Sequence, residues 1–320
     1  MECDRCEEPA VVHAAYSGAH LCDAHLAASL ERRVRRRIRR DGLVPKWATP
    51  NEPVTWVIGL SGGKDSAVLT HVLAETFADD PRIELVALTI HEGIEGYRDE
   101  SLAACERLLE GRDINHELVT YEEEFGLAMD DVAAEDPLGM APCAYCGVFR
   151  RDVLERHAEA LGADLLLTGH NLDDEAQTAL MNLFEGDLDQ MAKHFEASLG
   201  PLEKRRDQEA FVPRAKPLRD VPEREVALYT HCMALPAHVA ECPHASEAYR
   251  GEVQRLLIDL EENHPGTRHS IMAGYQELAE LVARDRRDRD RPDLEPCTEC
   301  GSMTTGEYCR SCELVAAMEG

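Results

Sequence analysis

The sequence has few lysines, few aromatic residues and no long apolar run. Only five of its 34 basic residues are lysine, and aromatic residues make up 5% of its 320 residues. No apolar stretch approaches the roughly 18 residues of a membrane-spanning helix, so no membrane association is expected. The start, "MECDRCEEPA", lacks the basic and apolar regions of a secretory signal peptide. A cytoplasmic protein is therefore predicted.

Acidic residues greatly outnumber basic ones. The chain has 62 aspartates and glutamates against 34 lysines and arginines, which gives a formal net charge of -28. Such an excess is typical of a halophilic protein, because concentrated salt screens charge repulsion over about 3 Å at 1 M. An ordinary acidic protein is the alternative interpretation. In either case the overall charge disfavours nucleic-acid binding.

One segment has the opposite charge. "ERRVRRRIRR", residues 31 to 40, lies within a predicted helix over residues 24 to 40, whose apolar positions at a spacing of four form one buried face. Seven cations kept together in so acidic a chain favour an anionic partner over a merely solvated surface, and RNA is the natural candidate. The predicted contact residues are Arg32, Arg33, Arg35, Arg36, Arg37, Arg39 and Arg40.

Twelve cysteines in a protein expected to be cytoplasmic indicate metal or redox chemistry rather than structural disulfides. Two groups have the spacing of tetrahedral zinc sites, with paired ligands two residues apart and a short loop between the pairs. Both are predicted to be closed sites that stabilise small modules. The ligands are Cys3, Cys6, Cys22 and His25 in an N-terminal zinc finger, and Cys297, Cys300, Cys309 and Cys312 in a C-terminal zinc ribbon.

Between the two modules, apolar runs alternate with helical patterns. Strand–helix alternation predicts an α/β fold with a parallel, doubly wound sheet, whose ligands bind beyond the carboxyl ends of the strands. The predicted strands are 54–60, 83–90, 116–120 and 164–170, and the predicted helices lie near 65–77, 98–110, 147–161 and 172–184.

The first predicted strand runs into "LSGGKDSAVL", residues 60 to 69. A strand, two glycines and a helix start place backbone N–H groups and a helix dipole around a phosphate. Because Asp65 separates Lys64 from Ser66, the segment is not a Walker A loop. It resembles the PP-loop of the N-type ATP pyrophosphatases, which implies cleavage of ATP between its α and β phosphates. The predicted ATP-binding residues here are Leu60, Ser61, Gly62, Gly63, Lys64, Asp65 and Ser66.

Two further predicted strands end in candidate site residues. After Ile90, the segment "HEGIEGYR" offers backbone groups to an adenine, and in "TGHNLDDEAQT" Gly169 permits close approach to a nucleotide. Asp173 and Asp174 lie at a helix start, where carboxylates are favoured as caps. A role of at least one of them in catalysis or in Mg²⁺ binding is favoured over capping alone, and Asp174 is the predicted catalytic residue.

Five cysteines remain. Cys105 and Cys232 fall in predicted helices and are expected to be small apolar side chains. Three interpretations compete for Cys143 and Cys146 in "PCAYCGVFRR": a redox pair that closes a disulfide, half of a zinc site with two distant ligands, or, with Cys242, three ligands of an iron–sulfur cluster that has one open iron. Spacing favours the third interpretation but leaves all three open.

With these motifs assembled, the chain resembles the cytoplasmic tRNA 2-thiolation family. "SGGKDS", "EGIEGYR", "CAYCGVFRR", "TGHNLDDEAQT" and "AEC", flanked by the two zinc motifs, occur in the family's order over nearly the whole chain. "CGVFRR" and "EGIEGYR" look most like the branch that acts at the wobble uridine, position 34. The sister branch, which acts at T-loop uridine 54, has Lys in place of Arg150. His91 departs from the Asp that the family has before "EGI".

The resemblance implies a two-step reaction in which ATP adenylates the uridine C2 oxygen and sulfur then replaces it. Lys64 and Arg150 would neutralise phosphate charge, and Arg150 is counted among the ATP-binding residues. Cys143, Cys146 and Cys242 would act in catalysis as ligands of a [4Fe-4S] cluster, with a persulfide or disulfide route as the rival. The implied cofactors are ATP, Mg²⁺, two Zn²⁺ and the cluster. The implied partners are tRNA and a ubiquitin-like sulfur-carrier protein with a thiocarboxylate, and a homodimer is a further expectation.

Two other functions compete with this one. A non-catalytic zinc-ribbon RNA-binding protein would have decayed loop motifs, whereas "SGGKDS" and "TGHNLDDE" are intact. A PP-loop amidating or lysidine-type ligase would not need three thiolates. The predicted domains are a zinc finger at 1–30, a basic helix and linker at 31–50, a PP-loop domain at 51–283, and a linker with the zinc ribbon at 284–320.

Overall fold

The computed structural model describes residues 1–196, 211–244, 249–286 and 293–319 of the protein. The strands are β1 (Val12–Ala14), β2 (Ala19–Leu21), β3 (Val54–Gly59), β4 (Ile83–His91), β5 (Asn115–Thr120), β6 (Leu165–Leu167), β7 (Arg214–Ala215), β8 (Glu295–Pro296) and β9 (Met303–Thr304). The helices are α1 (Asp23–Arg40), α2 (Lys64–Phe77), α3 (Tyr97–Leu109), α4 (Tyr121–Phe125), α5 (Met129–Glu135), α6 (Pro142–Ala160), α7 (Leu172–Glu185), α8 (Leu188–Glu196), α9 (Glu223–Cys232), α10 (Tyr249–Asn263), α11 (Thr267–Arg286) and α12 (Arg310–Glu319).

A five-stranded sheet in the order β5-β4-β3-β6-β7 forms the centre of the molecule. Every neighbouring pair of its strands is parallel. The chain starts in the middle at β3, moves outward to β5 and then returns to β6 on the other side of β3. The strand order therefore reverses between β3 and β6, and ligands of such sheets bind at that point, beyond the carboxyl ends of the strands. The predicted parallel, doubly wound α/β fold is confirmed.

Helices cover both faces of the sheet. Along β3, Trp56 and Ile58 pack into a core with Leu69 of α2, whereas Val57 points the other way and packs with Phe149 of α6. This alternation follows from the two-residue period of a strand, and burial of both faces explains why the strands are nearly continuous apolar runs. None of the described helices has the length and apolar character needed to span a membrane.

Most predicted elements begin and end within a residue or two of the observed ones, with two informative exceptions. The fourth predicted strand, 164–170, ends early because the chain leaves the sheet after Leu167. The helix predicted to begin at residue 147 begins at Pro142 instead. Proline suits the first position of a helix, since its φ is already helical and no N–H is needed there. Cys143 and Cys146 therefore lie in the first turns of α6.

The N-terminal module is continuous with the central domain. The single helix α1 crosses the predicted boundary at residues 30 and 31, and Leu30 and Val34 pack into the same core as Trp56. At the other end of the chain, Leu314 of α12 packs with Phe149 of α6. Residues 287–292 of the predicted linker lie outside the described residues.

Candidate active site

The segment between β3 and α2, residues 60 to 66, is called the glycine loop below. Gly62 has a φ of +81°, and a Cβ added to it would lie 2.2 Å from the carbonyl oxygen of Ser101. The Ser66 hydroxyl donates to the Gly63 carbonyl oxygen at 3.0 Å and accepts from the Ser61 N–H at 3.2 Å. These contacts fold the loop around the N-terminus of α2, where backbone N–H groups and the helix dipole favour a bound anion.

Leu60 and Ile90 are held at the ends of their strands by backbone contacts. Leu60 donates its N–H to the carbonyl oxygen of Leu88 at 2.9 Å and accepts from the Thr89 hydroxyl at 2.8 Å. The Ile90 carbonyl oxygen accepts from the Arg98 guanidinium. Both predicted ATP contacts thus lie at the carboxyl edge of the sheet, next to the point where the strand order reverses.

Gly169, on the loop that follows β6, packs directly against the glycine loop. A Cβ at this position would lie 2.9 Å from both the carbonyl carbon of Asp65 and the backbone nitrogen of Ser66. The sequence predicted that this glycine lets a nucleotide approach. In the structure its close neighbour is the backbone of the glycine loop, so the missing side chain allows the two loops to touch, and the nucleotide contact stays a prediction.

Lys64 is held between two carboxylates at the start of α2. Its Nζ donates to Asp65 Oδ2 at 3.0 Å and to Glu223 Oε1 at 2.8 Å. Burial alone would lower the pKa of Lys64, but the two neighbouring carboxylates outweigh it and raise the pKa. The side chain therefore remains a cation at the mouth of the glycine loop. Glu223, on α9, was not predicted from the sequence because it is 159 positions from Lys64 in the chain.

Asp174 helps to cap α7, as one interpretation proposed, whereas the Asp173 side chain contacts neighbouring helices instead. Asn171 and Asp174 form a reciprocal capping box, and the Asn171 side-chain amide also donates to Asp65 Oδ1 at 2.9 Å. Asp173 accepts from the Glu223 N–H at 2.8 Å. Burial raises the pKa of Asp65, Asp173 and Asp174, and the charge of Asp174 contributes to the raised pKa of Asp65. Asp65 and Glu223 thus contact Lys64 directly, whereas Asp173 pairs with Arg268 at 2.9 Å.

His170 is a neutral imidazole beside these carboxylates. Burial, with a smaller contribution from the charge of Lys216, lowers its pKa to about 4. Its Nδ1 lies 2.9 Å from the Thr168 hydroxyl oxygen. The side chain can therefore accept or donate a hydrogen bond at neutral pH without adding positive charge to the site.

The departure at His91 leaves the local backbone intact. His91 Nδ1 accepts from the Gly93 N–H at 3.2 Å, which is the contact that a short carboxylate could also make at a turn. The next residue, Glu92, is buried and pairs with Arg98 and, at 2.9 Å, with Arg150. Glu92 was not singled out from the sequence, although it anchors both arginines.

Arg150 lies next to Cys146. Its guanidinium donates to Cys146 Sγ at 3.1 Å and pairs with Glu92. Burial alone would lower the pKa of Arg150, but Glu92 and Cys146 outweigh it and raise the pKa. The contact of Arg150 with an ATP phosphate stays a prediction. The thiol partner of Arg150 in the structure is Cys146.

Cys143, Cys146 and Cys242 come together at one end of α6. Cys143 Sγ donates to the carbonyl oxygen of His244 at 3.6 Å, and Cys146 and Cys242 pack in the same apolar cluster. His244 Nε2 in turn lies 2.5 Å from Asp130 Oδ1 on α5. All twelve cysteines, each within the described ranges, are free thiols. The three cysteines are thus neighbours that do not form a disulfide in this structure.

The segment that carries Cys242 also touches the glycine loop. The His238 N–H donates to the Gly62 carbonyl oxygen at 2.8 Å. The His238 ring packs on Tyr97 with a centroid separation of 5.0 Å, and its Nδ1 lies 3.2 Å from Glu100. Sequence spacing gives no signal for this contact. It places the third cysteine and the nucleotide-binding candidate at the same edge of the sheet.

Both predicted zinc sites are assembled. In each group of four, one ligand atom per residue lies within 4.8 Å of all the others, the arrangement that a single tetrahedral ion requires. Among the described residues, no further group of this kind includes Cys143, Cys146 or Cys242. Their thiols therefore do not surround a single shared ion. Three neighbouring free thiols are compatible with a cluster that distributes its ligands over several irons. The assembled groups are Cys3, Cys6, Cys22 and His25, and Cys297, Cys300, Cys309 and Cys312.

The arginines of α1 are not all available to a partner. Arg37 is buried and pairs with Asp220 at 2.6 Å. Arg33 pairs with Glu225 and donates to the Tyr16 hydroxyl at 3.1 Å. Because the side chains of Arg33 and Arg37 pair with carboxylates of the protein, five of the seven arginines predicted to contact RNA remain on the outer faces of α1. These are Arg32, Arg35, Arg36, Arg39 and Arg40.

Comparisons with known proteins agree with this arrangement. The PP-loop domain model matches residues 33–235, and the N-terminal LIM domain of the 2-thiouridine synthetase TtuA matches residues 2–27. The tRNA 2-thiolation protein NcsA of Haloferax volcanii is 70% identical over 319 residues, covering 100% of this chain and 99% of that protein. The chain belongs to the PP-loop family of tRNA 2-thiolation proteins.

More distant members of the family are similar over the whole chain. Cytoplasmic tRNA 2-thiolation protein 1 of Caenorhabditis elegans is 34% identical, covering 98% of this chain and 79% of the relative. Among solved structures, the U34-tRNA thiolase NcsA of Methanococcus maripaludis, determined with its [4Fe-4S] cluster, is 33% identical. It superimposes with a TM-score of 0.79 over 98% of this chain and 95% of that one. The resemblance predicted from the motifs is confirmed.

Proposed function

We propose that the protein is an ATP-dependent tRNA sulfurtransferase that makes 2-thiouridine at wobble position 34. The observation that carries this proposal is the backbone hydrogen bond between His238 and Gly62, which brings the segment of Cys242 to the glycine loop. A loop suited to ATP phosphates and three converging thiols thus share one edge of the sheet. Similarity to a U34-tRNA thiolase supports position 34 rather than T-loop uridine 54.

The first step is activation of the uridine C2 oxygen. Backbone N–H groups of the glycine loop and the Lys64 ammonium bind the ATP phosphates, so that the C2 oxygen can attack the α phosphorus and pyrophosphate can leave. A carbonyl oxygen is a very poor leaving group until it carries AMP. Mg²⁺ is assigned to Asp65 and Asp174, because carboxylate oxygens are the ligands that this ion prefers. Bound Mg²⁺ would offset the negative charge of the phosphates.

The second step replaces the activated oxygen by sulfur. Cys143, Cys146 and Cys242 would hold a [4Fe-4S] cluster, and such a cluster with three protein ligands supplies one open iron position for a sulfur atom. The chain's own part is to orient these ligands. Arg150 donates a hydrogen bond to Cys146, a contact that a thiolate ligand can still accept. AMP then leaves as sulfur bonds to C2.

Several further assignments belong to this proposal. The sulfur donor is a ubiquitin-like carrier protein with a thiocarboxylate, the active assembly is a homodimer, and the reaction takes place in the cytoplasm. The two assembled four-ligand sites hold structural Zn²⁺, because closed tetrahedral thiolate and imidazole sites are typical of structural zinc. The predicted divisions of the chain near residues 50 and 283 separate its modules, whereas α1 runs through the one near residue 30. The acidic composition suits a salty cytoplasm, so assays belong in concentrated KCl.

The test is anaerobic purification followed by iron and sulfide assays, with visible and EPR spectra. The wild type is expected to bind about four irons per chain beyond its zinc, and Cys242→Ala to lose the cluster. Cys232→Ala is the matched control, because Cys232 ends α9 and belongs to neither zinc group nor to the three cysteines. Zinc alone, under every reconstitution condition, would overturn the cluster assignment.

The nucleoside product is tested separately. Mass spectrometry of tRNA from a deletion strain should show loss of 2-thiouridine at position 34 and no change at position 54. The opposite pattern would assign the protein to the T-loop reaction. Unchanged tRNA at both positions would refute a sulfurtransferase function.

A further inference from the structure

A cavity of about 290 Å³ lies between the N-terminal module and the outer face of α1. Its floor and one wall come from the β1–β2 hairpin and include small apolar side chains. Its other walls carry guanidinium and hydroxyl groups. The residues that matter for its chemistry are Arg5, Tyr16, Ser29, Arg32, Arg33 and Arg36. This site is called the arginine pocket below.

The arginine pocket is cationic in a protein that is otherwise strongly acidic. Four guanidiniums line it, and no carboxylate does. Within the described residues, Arg5, Arg32 and Arg36 form no ion pair, although the chain has 62 acidic side chains against 34 basic ones. Neighbouring Arg35 and Arg37 do have carboxylate partners. Positive charge left uncompensated in one cavity indicates an anionic ligand.

One side of the pocket is fixed in place by buried contacts. Arg33 pairs with Glu225 and donates to the Tyr16 hydroxyl, and Tyr16 donates to Glu225 Oε1 at 2.7 Å. Arg5 lies between two ligands of the N-terminal four-ligand site, Cys3 and Cys6. Guanidinium groups held in advance lose less entropy when an anion binds. Arg33 is therefore fixed against the central domain, and Arg5 joins the pocket from the N-terminal metal module.

We propose that the arginine pocket binds one phosphodiester group of the tRNA backbone, an inference that rests on the proposed tRNA substrate. Guanidinium matches a phosphate with paired N–H donors and retains its charge at any physiological pH. A cavity of this size holds a group no larger than about one nucleotide. The pocket therefore fixes a single point of the backbone, unlike a flat cationic surface, which would attract the RNA at many equivalent positions.

The test compares variants of the pocket with a matched surface arginine. Arg39 is the control, because it lies on the same helix, is exposed, forms no ion pair among the described residues and does not line the pocket. Binding of unmodified tRNA to the full-length protein is measured over a range of KCl concentrations. Arg5→Ala and Arg36→Ala should each weaken binding about tenfold and lower the salt slope by about one, and Arg39→Ala should do so less.

If two arginines bind the same phosphate, their substitutions should not be additive, whereas substitutions on a general cationic surface should be. If Arg5 and Arg36 hold the same group, the double variant should bind tRNA hardly worse than either single variant, whereas Arg39→Ala should add to each of them. Ethylation of single tRNA phosphates supplies a second measurement. Ethylation of one phosphate should weaken binding to the wild type about tenfold and make little difference to Arg36→Ala. Unchanged zinc content and ATP affinity would show that the variants are folded.

The outcomes separate this inference from the proposed function. Equal effects of Arg5, Arg36 and Arg39 substitutions, or fully additive ones, would show a general cationic surface and overturn the pocket while leaving thiolation intact. Tighter binding of free inorganic phosphate than of tRNA, unaffected by ethylation, would assign the pocket to a small anion and also overturn it. Phosphate-specific binding without any 2-thiouridine product would support the pocket and refute the proposed function.

Discussion

Replacing Gly62 by alanine should destabilise the glycine loop more than any other single methyl group added there. The new Cβ would lie 2.2 Å from the Ser101 carbonyl oxygen, where ordinary contact begins at 3.4 Å, so backbone must move by more than 1 Å. A left-handed φ costs an alanine about 1–2 kcal/mol, and overpacking against backbone costs about 1–3 kcal/mol. The free energy of unfolding should therefore fall by about 2–5 kcal/mol.

The neighbouring glycine supplies the control. Gly63 has a φ of -77°, and a Cβ added to it would approach no closer than 3.6 Å, to Ser61 Oγ. Gly63→Ala should leave the free energy of unfolding unchanged or raise it by about 0.4–1 kcal/mol, because alanine restricts the unfolded chain. Both variants replace a glycine by an alanine at adjacent positions, so a difference in their stability comes from the backbone conformation and the surroundings of each glycine.

Urea denaturation at constant KCl measures both variants, and calorimetric titration with ATP reports on the site. A displacement of about 1 Å in a positioning loop can reduce catalysis on the order of a hundredfold, so Gly62→Ala should also lose thiolation. Equal unfolding free energies for the two variants would refute the assigned loop shape. A Gly62→Ala protein with normal stability and normal ATP affinity would refute it as well.

Three further predictions concern the charges and metals of the site. Glu223→Gln should tighten ATP binding up to about fivefold in calorimetry, because the partly exposed Glu223 carboxylate would no longer compete with the ATP phosphates for Lys64. Weaker binding would contradict this competition. Burial raises the pKa of Asp174, so ionisation costs the folded state stability as the pH rises from about 4. Asp174→Asn should avoid that loss, so the free energy of unfolding of the variant, relative to the wild type, should rise with pH in urea titrations, while thiolation falls. A difference in unfolding free energy that does not change with pH would contradict the raised pKa of Asp174. Cys309→Ser should lose one of two zinc equivalents in metal analysis and lower the free energy of unfolding, and retention of both would reassign the ribbon.

The sequence was sufficient for the fold because its inner strands, β3 and β6, are buried on both faces. Residues 54 to 60 are apolar without alternation, which is typical of a central parallel strand, and the pattern located β3 to within a residue. The zinc groups could be predicted equally well, since each is built from pairs of ligands close in the chain. Local spacing is preserved whatever the tertiary structure, so such features can be predicted without it.

Contacts between distant segments could not be predicted in this way. Glu223 reaches Lys64, and His238 reaches Gly62, only because α9 and the segment that follows it fold back over the sheet. The same folding turns Arg37 toward Asp220, although its spacing in the sequence is no different from that of its exposed neighbours. A run of like residues shows how much charge a helix carries, but not which side chains face solvent.

The backbone hydrogen bond from His238 to Gly62 has a consequence for the order of events. It is formed by main-chain atoms, so no substitution of the His238 side chain by another residue that retains its N–H removes it directly. The strip of chain that carries Cys242 is therefore fastened to the nucleotide loop at one point and to α5 and α6, through His244, at another. Under the proposed function, a shift of the glycine loop would therefore carry the third cysteine with it.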